Sequence, residues 1–134
     1  MWSVAAKGLV CTCEGHNNFV FAVAAMPDGQ RILSGGWDTT VRVWRLDGTL
    51  QNAFKLHNGF VKALVALPDN RHALSGSRDY TVKLFNVNDG AVLRRFTHHT
   101  QPVTSLALLP DGLRFVSGST DNTARIVEIG LAPP

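Results

Sequence analysis

Three sets of His, Ser and Asp recur along this 134-residue chain in one fixed order. His16, Ser34 and Asp38 form the first, His57, Ser75 and Asp79 the second, and His99, Ser117 and Asp121 the third. A base, a nucleophile and an orienting acid are the residue types of a hydrolase triad. Acyl transfer would need one such Ser in an open cleft beside an oxyanion hole. The three-fold repetition argues for a structural role instead. Each Ser is followed by Gly within a short strand pattern, and each Asp comes four residues later in a turn. An Asp that accepts backbone N–H bonds and is tied through His to Ser fixes local geometry. No Gly-x-Ser-x-Gly elbow is present. Catalytic residues are therefore not expected, and the Ser–His–Asp hydrolase is the lesser alternative.

Other site chemistries find less support. His98 and His99, with His72 and His57, have no metal-ligand spacing and no companion Cys. His99 is the repeated His, and His98 is expected in solvent. Cys11 and Cys13 are too few for a zinc site and fit two small apolar residues on one strand face. No glycine-rich phosphate cradle occurs. No cofactor and no metal are expected.

The elements that position these residues are short strands between turns. Pro27-Asp28, Pro68-Asp69 and Pro110-Asp111 lie 41 and 42 residues apart, each a fixed distance ahead of its Ser-Gly. Pro and Asp start a type I turn. In unit one, strands are expected over 19–26, 31–34, 40–44 and 49–55, with Gly35-Gly36-Trp37-Asp38 as a turn. Thr40 to Trp44 alternates with period two, as a half-buried strand does. Unit two repeats the pattern over 61–67, 71–75, 81–86 and 91–96, and unit three over 103–109, 114–117 and 124–128. No segment carries a helical stripe.

Four strands per unit of 41–42 residues, three times over, is the pattern of β-propeller blades. The order His…Pro-Asp…Ser-Gly…Asp-x-Thr-Val-Arg-Val-Trp, best seen from His16 to Trp44, resembles the WD-repeat (WD40-type) family over residues 8 to 129. The resemblance implies an all-β fold of four-stranded antiparallel blades, with three repeats and an incomplete ring. It places one WD-repeat region over residues 8–134, with blades at about 14–55, 56–97 and 98–129. Residues 8–13 would be an orphan outer strand. The family's buried tetrad would map to His16, Ser34, Asp38 and Trp44. Units two and three have Phe85 and Val127 at the Trp position and keep only His57, Ser75, Asp79 and His99, Ser117, Asp121.

Positions that vary among the units are candidates for function. The family's partners often dock on one rim, beside the first strand and just before the turn Asp. Those positions carry Phe19, Phe21 and Trp37 in unit one, Phe60, Lys62 and Arg78 in unit two, and Pro102, Thr104 and Thr120 in unit three. Aromatics and Arg are the residue types enriched at binding hot spots. Trp37 and Arg78 lead this set. A protein or peptide partner is expected.

Arg42, Lys83 and Arg125 form a basic column, expected to face away from the packed side of each blade. With Arg78 they supply the alternative reading, a surface for phosphopeptide or nucleic acid, with nucleic acid ranked below protein. Bulk charge adds little. There are 13 Lys+Arg and 10 Asp+Glu, and six of those acids are the repeated Asp residues. At 45% hydrophobic and 17% charged, the chain reads as an ordered domain. No apolar run nears the roughly 20 residues of a membrane helix, and Met1 to Ala6 is too short for a secretory core. A cytoplasmic or nuclear protein with no membrane role is expected.

Three blades are too few to close a ring, since propellers have about 4–8. Unit three lacks a fourth strand before the sequence ends, and residues 8–13 read as a fourth strand without its first three. Either the chain is a piece of a longer propeller or a truncated product, the favoured expectation, or a partner chain, such as a second copy exchanging these strands in a homodimer of six blades, completes the ring.

Overall fold

The computed structural model describes residues 19–130, and within them every regular element is a strand. Blade one contains β1 (Val20–Ala25), β2 (Arg31–Gly36), β3 (Thr40–Arg45) and β4 (Leu50–Lys55). Blade two contains β5 (Val61–Ala66), β6 (His72–Ser77), β7 (Val82–Asn86) and β8 (Val92–Phe96). Blade three contains β9 (Val103–Leu108), β10 (Arg114–Ser119) and β11 (Ala124–Glu128). Neighbours in sequence pair antiparallel, giving sheets of four, four and three strands among the described residues. Among the described residues this is an all-β array of propeller blades that does not close. His16, Cys11, Cys13 and the expected strand over 8–13 lie outside the described residues.

The turns follow from local chemistry. Asp28, Asp69 and Asp111 each accept the backbone N–H two residues on, from Gln30, Arg71 and Leu113. Gly29, Asn70 and Gly112 then take a left-handed conformation at φ 67°, 62° and 68°, which Gly and Asn adopt most readily.

The core lies between blades. One cluster joins Leu33, Val41 and Val43 of blade one to Val61, Leu64 and Phe85 of blade two. A second joins Leu74, Val82 and Leu84 of blade two to Val103 and Phe115 of blade three. Both faces of β7 are therefore packed, one on each neighbour. The Ser-Gly pairs make this approach possible. A Cβ on Gly35 would lie 2.4 Å from Val61 Cγ1, and one on Gly76 would lie 2.7 Å from Val103 Cγ1. Glycine stands where the next blade's first strand touches.

Three strand expectations need correction. β2 runs through Gly35 and Gly36, which pair with Ala22 and Val20, so the turn begins only at Trp37. The Gly-Gly pair reads as a turn in sequence, yet here it is extended backbone under a close neighbour. β6 likewise continues to Ser77, and β10 to Ser119.

Candidate functional site

The strand framework brings the second and third His–Ser–Asp sets into hydrogen-bonded chains. His57 Nδ1 lies 2.9 Å from Asp79 Oδ2 and its Nε2 lies 2.7 Å from Ser75 Oγ. His99 makes the same contacts to Asp121 at 2.8 Å and Ser117 at 2.7 Å. If Nδ1–H donates to the carboxylate, Nε2 accepts from the Ser hydroxyl. Each Asp is held in a turn. Asp79 accepts from the backbone N–H of Asn58 and Thr81, and Asp121 from those of Thr100 and Thr123. In blade one, Trp44 Nε1 donates to Ser34 Oγ over 2.7 Å. Asp38 accepts from Thr40 N and Thr40 Oγ1.

These chains have the order of a catalytic triad but not its setting. Ser75 and Ser117 are fully buried, and His57 and His99 nearly so. An attacking Oγ must reach a substrate carbonyl, and these hydroxyls face the interior. The carboxylates are matched to a strut role. Burial would raise the Asp79 pKa, but hydrogen bonds from His57 and Thr81 outweigh it and hold the acid well below the usual range. The Thr123 hydroxyl, with help from His99 and against burial, does the same for Asp121. Both acids stay ionised and keep accepting bonds.

The rim above blades one and two differs in kind. Three backbone bonds repeat there: Trp37 N to Phe19 O, Arg78 N to Phe60 O, and Thr120 N to Pro102 O, at 2.9, 2.9 and 3.2 Å. Each fixes the residue before the turn Asp beside the residue that opens the blade. In blades one and two these pairs are large. Phe19 stacks on Trp37 with centroids 5.3 Å apart, and Trp37 meets Phe60 edge-on at 4.9 Å. Phe21 touches both Trp37 and Phe60, at 6.2 and 6.1 Å. Lys62 Nζ lies 5.0 Å from the Phe21 centroid, and the Arg78 guanidinium 5.1 Å from that of Phe60. Four rings and two cations from two blades thus form one patch. Phe19 is 64% exposed, Phe21 44% and Trp37 36%. Thr104 and Thr120 are exposed and Pro102 half-buried, with no ring among them.

The basic column is not the outward surface expected from alternation. The Arg42 side chain is mostly buried and lies 4.0 Å from Asp38. Lys83 Nζ donates to the Leu56 carbonyl. Only Arg125 is exposed, with Nε 3.4 Å from Thr123 Oγ1. Blade two packs both faces, so alternation does not mark a solvent side at Lys83, while Arg42 is drawn onto Asp38 and Thr40 of its own blade. His98 also departs from expectation. It is half-buried beside Phe96 and His99, and its Nε2 is enclosed without a hydrogen-bond partner. Among the described residues, no three metal-ligating side chains converge.

Blades of short antiparallel strands, braced internally by His–Ser–Asp chains in blades two and three and packed face to face through apolar side chains, define a repeat scaffold. The WD domain, G-beta repeat family matches residues 7–45, 48–86 and 90–128, and the chain belongs to that family. It is similar to a ribosome biogenesis protein WDR12 homolog of Drosophila persimilis, 44% identical over 45 residues. That stretch is 32% of this chain and 11% of the relative. The homolog from Drosophila virilis is 36% identical over 58 residues, 40% of this chain and 14% of that protein. The matched region therefore spans a small part of either relative.

Proposed function

We propose that this chain is a non-catalytic WD-repeat scaffold that holds a protein or peptide on the rim above blades one and two. The single observation that carries the reading is the continuous patch of Phe19, Phe21, Trp37 and Phe60, flanked by Lys62 and Arg78. Aromatic side chains in solvent contribute to binding without being needed for the core. The buried strut serines support the non-catalytic part. The names of the relatives support ribosome biogenesis as the process, which is compatible with a nuclear location.

The test uses Trp37→Ala. Partners recovered with the wild-type chain should be lost or weakened at least about tenfold, a change of about 1.4 kcal/mol. The thermal midpoint should stay nearly constant. Unchanged partner recovery together with a large fall in melting temperature would remove the rim from the account.

A further inference from the structure

Resting on that rim reading, we propose that the partner segment is an acidic peptide with an apolar side chain at its centre. Its carboxylates meet Lys62 and Arg78, and its apolar side chain meets the Trp37 rings. Each cation sits on an aromatic face: Lys62 on Phe21 and Arg78 on Phe60. Those two rings touch, so the cations bracket the ring pair. Neither cation forms an ion pair with a carboxylate among the described residues. The neighbouring acids are directed elsewhere: Asp79 to His57 and Thr81, Asp38 to Thr40. The patch is thus apolar in the middle with two unneutralised positive charges. Complementary charge is what such a surface selects.

The geometry favours peptide over single-stranded nucleic acid. Base stacking needs open ring faces and a basic track along the backbone. Here one face of Trp37 is covered by Phe19, one of Phe21 by Lys62, and one of Phe60 by Arg78. Arg42 and Lys83, which would have extended a phosphate track, are bound within the blades. Lys62 and Arg78 are the two cations at the patch itself, enough to orient a short acidic segment.

Fluorescence anisotropy with the full 134-residue chain tests this. Four labelled probes are compared: a peptide pool with central Leu flanked by Asp and Glu, the same pool with Lys and Arg as flanks, an acidic pool with Ser replacing Leu, and a 12-nucleotide polyuridylate. The acidic Leu pool should bind at least about tenfold tighter than each of the others. Its affinity should fall as salt rises. The double variant Lys62→Glu, Arg78→Glu should lose at least about tenfold for that pool while its melting temperature holds. Equal binding of the basic pool, tighter binding of polyuridylate, or no binding of the acidic pool overturns the inference. If Trp37→Ala still abolishes partner recovery in those cases, the rim reading survives. Acidic-pool binding that ignores both the charge reversal and Trp37→Ala overturns the two together.

Discussion

Blades two and three share one strut and differ in almost everything around it. His57 and His99 reach their Asp and Ser partners at distances that agree within 0.1 Å. Yet β7 is buried along most of its length and β11 is largely exposed. Phe60 and Arg78 mark the rim of one, Pro102 and Thr120 that of the other. The difference teaches that strut geometry is local. A His, a Ser and a turn Asp at fixed spacing assemble it whether or not a second blade covers both faces. Burial, by contrast, comes from neighbours, and rim chemistry is free to vary.

The largest expected effect is at the strut. His57→Ala leaves the buried Ser75 hydroxyl and the Asp79 carboxylate without their main partner, costing about 3 kcal/mol. His99→Ala should cost less, because blade three is packed on one side only among the described residues. Urea denaturation of both variants measures the gap, and equal losses would break the comparison. The acid limb sharpens it. The folded Asp79 pKa is depressed, so its contribution is present above the ordinary carboxylate value of about 4 and is lost as pH falls below it. The wild type should weaken below about pH 4, and His57→Ala should weaken less over the same interval.

Second comes the inter-blade touch. Gly76→Ala drives a Cβ to 2.7 Å from Val103 and should cost about 1–3 kcal/mol by overpacking. Gly118→Ala meets only the Ser105 Oγ, which can rotate, and should cost under about 1 kcal/mol. Thermal denaturation of the pair decides whether the neighbour, rather than the repeated sequence, sets the cost.

The smallest effect lies in the turn after the strut Asp. Tyr80 and Asn122 occupy the same place at φ 77° and 71°. Asn tolerates that region and a bulky ring does not. Tyr80→Asn should stabilise by about 1 kcal/mol, and Asn122→Tyr should cost about as much. Differential scanning calorimetry of the two reads both signs.

Much of the fold was legible because its turns are chemically marked. Pro27-Asp28, Pro68-Asp69 and Pro110-Asp111 give the period, and the strands fall between them. The extent of β2 was not legible: Gly35-Gly36 has the composition of a turn, and its glycines are accounted for only by Val61 crowding Gly35 and the Phe19 carbonyl crowding Gly36. Arg42 is held against its own blade by Asp38 and Thr40, a contact the strand period does not encode, and Lys83 lies in a blade covered on both sides. Alternation tells which residues share a face, but not that a propeller packs both faces. At the rim, the candidate residues were visible as departures from the repeat. Their union was not, since Phe21 meets Phe60 across a blade boundary that no local spacing encodes. His98 was misread for the same reason, its enclosure coming from Phe96 and His99 packing around it.

The backbone bond that pins Trp37 to Phe19, Arg78 to Phe60 and Thr120 to Pro102 has a consequence for how such a chain can change over time. It uses only main-chain atoms, so it survives any substitution that leaves an N–H at the donor. Recognition at the rim can then be rewritten two residues at a time without renegotiating the fold. Blade three already displays one such rewriting, in which the same socket carries no aromatic ring and no charge.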